Sequence, residues 1–144
     1  MSDVLQSALG DMQGQLFEMS IEKGLDSEAF AKAFILSDIA SDLDSEFNHM
    51  QWAGKEYLME RILDELKDKL KIGGEIYDRE TMYWMGYVYR RWHYYTDETS
   101  KRIYKQATAK TMRVTYLPYH TMSVEMAIDR LKEPLEFLAI VVQI

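Results

Sequence analysis

The chain has 144 residues, 47% of them apolar and 28% charged, and holds no cysteine. That length supports one domain with a real core. The composition excludes a disordered chain, and the missing cysteines exclude disulfides, thiolate metal sites and cysteine nucleophiles.

The net charge of −7 is unevenly spread: residues 1–73 hold 15 acids and 7 bases, residues 74–144 hold 9 acids and 10 bases. The acids cluster from Asp26 to Asn48 and the bases from Arg90 to Tyr116. These are either solvated helix faces or a bipolar surface that meets charged partners. Met1 to Met12 carries Asp3 and Asp11 and lacks a basic start followed by an apolar run, so no signal peptide is expected. No stretch of 18 apolar residues occurs, so no membrane span is expected, and the cytoplasm is the expected location.

The pattern predicts six or seven helices. In the first, Leu5, Leu9, Met12 and Leu16 share a face, weakened by Gly10 and Gly14 at about 1 kcal/mol each, and Gly24 is a stop. The second starts at Asp26 or Ser27 as N-cap and carries Phe30, Phe34, Ile35, Ile39, Leu43 and Phe47. Asp38, Asp42 and Glu46 form an acidic stripe on it. Residues 48–54 read as a connection, with Trp52 a candidate core anchor. The third helix is the ladder Leu58, Ile62, Leu66 and Leu70, with Lys67, Lys69 and Lys71 at its end and Gly73-Gly74 terminating it.

The fourth helix, from about Asp78 to Tyr94, carries YWMGYVYRRWHYY, with eight aromatic or imidazole side chains in thirteen residues. Met85, Val88, Trp92 and Tyr95 share one face, and Trp84, Tyr87, Arg91 and Tyr94 another. A helix apolar on nearly all sides is usually central to its domain. Trp84, Met85, Val88 and Trp92 are read as core. Thr96 to Ser100 breaks and restarts the chain. A short helix follows with Ile103, Tyr104 and Ala107 inward. The next begins at Thr108, and Pro118 is expected to stop it. Ser123 caps the last, with Met126, Ala127, Ile128 and Leu131 inward, and Pro134 either ends it or starts a new turn. The segment from Leu135 to Ile144 is an apolar tail, docked or partner-binding; its Ile140-Val141-Val142 is ambiguous between helix and strand. The expected fold is an all-α single-domain bundle of antiparallel-packed helices around the aromatic-rich one.

Catalytic constellations are sparse. His49, His93 and His120 form no pair at i+3 or i+4, and no HExxH, P-loop or GxGxxG pattern occurs. Nothing in the spacing fixes a triad around Ser100 and His93. No catalytic residue, metal or cofactor is assigned. Arg90, Arg91, Lys101, Arg102, Lys105, Lys110 and Arg113 interleave with aromatics as nucleic-acid contacts would, but a pI near 5.0 argues against a dedicated nucleic-acid binder.

The better reading is a recognition surface, since Trp, Tyr and Arg dominate interface hot spots. The candidate partner- or ligand-binding residues are Tyr89, Arg90, Arg91, His93, Tyr94, Ser100, Arg102, Tyr104 and Lys105, with His120 in the following loop. Basic helix positions are normally exposed, so replacing Arg90, Arg91, Arg102 and Lys105 with alanine is expected to leave the fold intact. Self-association is left open.

Three pieces resemble a family of small bacterial proteins, mostly from Firmicutes: LDSEFNHMQWAGKEYL from Leu43, YWMGYVYRRWHYYTDETSKRIYKQA from Tyr83 and YHTMSVEMAIDRL from Tyr119. The resemblance spans about residues 30–131. The family's central pattern is GYxYRYWHYxTGxSSKxIYK. It is matched here at Gly86, Tyr87, Tyr89, Arg90, Trp92, His93, Tyr94, Thr96, Ser100, Lys101, Ile103, Tyr104 and Lys105. Arg91 stands where the pattern has Tyr, and Asp97 where it has Gly. Genes of this family neighbour those of small ADP-ribosyltransferase-like toxin domains. The resemblance therefore implies an antitoxin or accessory subunit that restrains or assists a toxin; it implies no mechanism. The readings left beside it are a nucleotide- or anion-binding protein or enzyme, and a nucleic-acid-associated regulator.

Overall fold

A computed structural model describes residues 1–45 and 53–133. The expectations for Glu46, Phe47, His49, Trp52, Pro134 and the tail from 135 to 144 fall outside them. Helices take up 75% of the described residues, with no strand among them, so the all-α expectation holds. The described residues form eight α-helices: α1 (Asp3–Glu22), α2 (Ser27–Ile35), α3 (Asp38–Asp44), α4 (Lys55–Glu65), α5 (Arg79–Thr96), α6 (Ser100–Gln106), α7 (Ala109–Tyr119) and α8 (Val124–Leu131). None of them is long and apolar enough to cross a membrane.

The architecture is built on α1 and α5. Ser7 meets Arg91, Asp11 meets Tyr83 and Glu18 meets Arg79, so the two helices run antiparallel along each other. Their glycines let the backbones touch. A Cβ on Gly86 would lie 2.6 Å from the Gln13 carbonyl oxygen, and one on Gly14 would lie 2.7 Å from the Tyr83 ring. The helix-weakening Gly10 and Gly14 of the sequence are thus the seats for Tyr87 and Tyr83. Behind this crossing, Phe17 stands edge-on to Phe30 and Phe34 at 5.1 and 5.9 Å, and Tyr89 and Trp92 fill the same core.

The second predicted helix is two. The apolar ladder runs unbroken through residue 43, but Ser37 interrupts the backbone. Its hydroxyl donates to the Phe34 carbonyl at 2.6 Å and caps the restart by accepting from Ala40 N–H at 3.3 Å. Serine offers the backbone this local alternative to a continuing helix. The third ladder also ends early. α4 stops at Glu65, a 3-10 turn covers Lys67–Lys69, and Leu70 is outside the helix. Gly73 and Gly74 then turn the chain with φ of 83° and 71°. This lays the following segment along the start of α2, where Asp26 and Ser27 receive Glu75 N–H and Tyr77 N–H at 2.9 Å each.

Pro118 does not stop its helix before it. It lies in the last turn of α7, where its missing N–H removes the bond to Val114, and the helix ends at the next residue. Met126 faces outward, 51% exposed, while Ala127, Ile128 and Leu131 are buried. Likewise Tyr95 is exposed although Met85, Val88 and Trp92 of its predicted face are buried.

Between α5 and α6, Asp97 adopts the left-handed conformation with φ of 64°, and its N–H bonds to the His93 carbonyl at 2.8 Å. Among the described residues it is the one non-glycine with positive φ. A side chain costs energy there that glycine avoids. Asp97→Gly is therefore expected to raise stability by about 0.5–1 kcal/mol despite the entropy glycine adds to the unfolded chain. Chemical denaturation reads this directly, and an unchanged or lowered midpoint contradicts it.

Candidate functional site

The predicted binding residues divide into a buried network, a tethered rim and an exposed remainder. Arg90 is 1% exposed, which corrects the expectation that it lies on a surface. Its guanidinium donates to Gln13 Oε1 at 3.0 Å and Asp44 Oδ1 at 2.8 Å, and lies 3.4 Å from Ser100 Oγ. Asp44 also accepts from Ser100 N–H and Ser100 Oγ–H, each at 2.8 Å. One carboxylate at the end of α3 therefore holds the middle of α5 and the start of α6. The unpaired N–H groups at a helix start favour an anion there. Gln13 completes the set by donating to the Gly86 carbonyl at 2.9 Å.

His93 adjoins this network. Its Nδ1 is 2.6 Å from the Glu98 carbonyl, so that nitrogen carries the proton and donates. Tyr94 packs edge-on to His93 at 5.1 Å, with the Arg90 guanidinium 6.0 Å from its ring. Tyr89 is buried and its hydroxyl donates to the Ala107 carbonyl at 2.6 Å; Tyr104 is buried beside it. Arg90, Tyr89, Ser100 and Tyr104 are thus spent on the interior, and a partner cannot reach them without unfolding α6.

Arg91 is half-buried. It donates to Ser7 Oγ at 2.7 Å and Tyr87 Oη at 3.0 Å, and lies 3.5 Å from Glu125. Arg102 and Lys105 are exposed on α6, where Arg102 reaches Glu98 at 3.3 Å.

Glu98 is a site residue that sequence pattern does not single out. Its carboxylate receives Trp92 Nε1–H at 3.0 Å, Gln106 at 2.6 Å and Lys132 at 2.5 Å, so it joins α5, α6 and the end of α8. The available signal was an acid four residues before Arg102, and nothing local reports the approach of Lys132. Burial pushes the Glu98 carboxyl up, but hydrogen bonds from Lys132, Trp92, Gln106 and Thr96 outweigh it and hold the group at about 2. A depressed folded-state value means stability present above the ordinary value of 4.5 and lost as pH falls toward 2. Glu98→Gln is expected to cost about 1–2 kcal/mol at pH 7, and to flatten the stability loss between those limits. Parallel acid titrations that fall equally steeply would contradict this.

His120 belongs elsewhere. It stacks on Tyr116 with ring centroids 4.4 Å apart and planes 9° from parallel. Trp84 meets Tyr116 edge-on at 5.8 Å. Together with Tyr83, Glu18, Arg79 and Glu80 they line a cleft of about 330 Å³. Trp84 is half-buried at its wall rather than a full core residue. Among the described residues no group of three His, Asp or Glu side chains is placed to hold a metal ion.

No family model matches this chain, and no curated protein or solved structure is similar to it.

The helix that carries Tyr116 and His120 has a second feature. On α7, Lys110, Arg113, Val114, Leu117 and Pro118 form the exposed stripe, with the spacing of one helical face. Val114 and Leu117 on it are each 76% exposed. Arg113 lies over the Tyr77 ring at 4.7 Å and pairs with Glu75 at 2.8 Å. The outer face of α7 and the aromatic cleft on Tyr116 and His120 bring apolar, aromatic and charged groups together at the surface.

Proposed function

We propose that the chain is a non-enzymatic, cytoplasmic binding protein that restrains or assists a protein partner, an ADP-ribosyltransferase-like toxin as the resemblance implies. The observation that supports binding by a surface is the exposed Val114–Leu117 pair on α7, flanked by Lys110 and Arg113. Adjacent exposed apolar side chains within a charged rim have the composition of a small interface core. What supports α7 over α5 as the recognition surface is that the aromatic-basic segment of α5 is largely consumed by the fold. The same fact weakens the anion-binding alternative, since Arg90 and Arg91 already have protein partners.

The test is co-purification of the chain with the products of its neighbouring genes, and growth of cells expressing a captured neighbour with and without the chain. The wild type is expected to capture the toxin-domain protein and to alter its effect on growth. A Val114→Glu, Leu117→Glu double variant is expected to melt normally and to lose at least about tenfold in affinity, the scale of losing an apolar anchor. Full capture by the double variant moves the interface off α7. Failure of the wild type to bind any neighbouring product removes the reading itself.

A further inference from the structure

The cleft between α5 and α7 has the chemistry of a receptor for a planar organic cation. Its walls are the Tyr116–His120 stack, with Trp84 edge-on to Tyr116 at 5.8 Å, and its rim carries Glu18 and Glu80. Aromatic faces attract cations through the ring quadrupole, and a nearby carboxylate supplies the opposing charge. The two carboxylates differ. Arg79 lies 3.2 Å from Glu18 and 3.8 Å from Glu22. Glu80, exposed in the first turn of α5, makes no ion pair or side-chain hydrogen bond among the described residues. A second cleft shares Glu18, Arg79 and Tyr83 with the first and extends it along α1 past Asp11, Glu22 and Glu56. Around the two together stand five carboxylates against Arg79 and Lys55.

We propose that this cleft receives an arginine side chain of a partner protein. The guanidinium lies flat against the aromatic wall and pairs with Glu80. Three features favour arginine. An outer ring face of the Tyr116–His120 stack suits a planar, weakly hydrated guanidinium better than a compact ammonium. The protein already places guanidinium groups in this way, with Arg91 5.7 Å from the Tyr87 ring centre and Arg113 4.7 Å from that of Tyr77. Arg79, on the Glu18 carboxylate, shows that a guanidinium fits the rim of this cleft itself. Tyr116 of the cleft wall lies on α7 between Val114 and Leu117, so an arginine here would flank an apolar anchor on those two residues. In this respect the inference rests on the partner reading above.

The experiment does not need the toxin. The indole N–H resonance of Trp84, identified by its loss in Trp84→Phe, is followed while a short blocked peptide carrying two arginines is added. The same peptide with citrulline in place of arginine is the neutral control. The arginine peptide is expected to shift the resonance saturably and the citrulline peptide not to. Glu80→Gln and Tyr116→Leu are each expected to weaken binding at least about fivefold. Equal shifts by the two peptides, no shift by either, or unchanged affinity in both variants would overturn the proposal. So would a larger response to spermidine or tetramethylammonium, which would assign the cleft to small amines. Toxin capture by Glu80→Gln separates the two ideas. Wild-type capture that survives this substitution intact removes the cleft from the interface and leaves the partner reading standing. A wild type that captures nothing removes that reading while the peptide titration still decides the cleft.

Discussion

Replacing Arg90 with alanine is expected to destabilise the fold by about 3–5 kcal/mol. The guanidinium is buried, and its removal leaves the Asp44 carboxylate, which is itself only 11% exposed, without its cation. It also leaves Gln13 Oε1 without its donor. Loss of one member of a buried pair is costly because the other charge remains desolvated. Asp44→Ala should be damaging for the same reason, with the α6 start losing its acceptor as well. In the double variant neither charge is stranded, so its loss should fall well short of the sum of the two singles. Urea unfolding of the three variants measures this. An Arg90→Ala protein within about 1 kcal/mol of wild type would mean that water replaces the network.

Gly86→Ala should lower stability by about 3 kcal/mol, or roughly 10 °C in Tm for a domain of this size. Alanine is the better helix former by about 1 kcal/mol, so propensity predicts the opposite sign. Packing decides, because the added methyl would lie 2.6 Å from the Gln13 carbonyl oxygen and 2.8 Å from the Phe17 ring. A backbone oxygen cannot swing aside as a side chain can. α1 must retreat from α5, and the Gln13 bond to the Gly86 carbonyl lengthens with it. A thermal melt at or above the wild-type midpoint would show that the helices separate at little cost.

Much of the architecture was legible from residue order. Gly24 and the Thr96–Ser100 stretch mark real boundaries, Gly73-Gly74 mark a turn well past the end of α4, and the aromatic helix is central as its circumference predicted. The break at Ser37 was hidden because the apolar ladder crosses it without a missed step. A serine mid-pattern reads equally well as a tolerated helix residue. The candidate site was less legible for a different reason. Arg90 looks like any basic helix position until Asp44 is placed beside it, and the partners are 46 residues apart in the chain. Glu98 is a similar case, 34 residues from Lys132. Burial of a charge depends on what arrives from elsewhere, and periodicity within one helix does not contain that information.

The pairing of α1 with α5 also shapes how the molecule is made. Helical bundles usually fold quickly because their neighbours in space are neighbours in sequence. Here the principal pair is separated by the whole of α2 to α4, a loop of roughly 56 residues whose ends must meet before the glycine contacts reward the encounter. On the ribosome α1 emerges long before α5 exists, and until then the Gly10 and Gly14 face that seats Tyr87 and Tyr83 has no cover. The docking of α1 is therefore timed by the synthesis of α5.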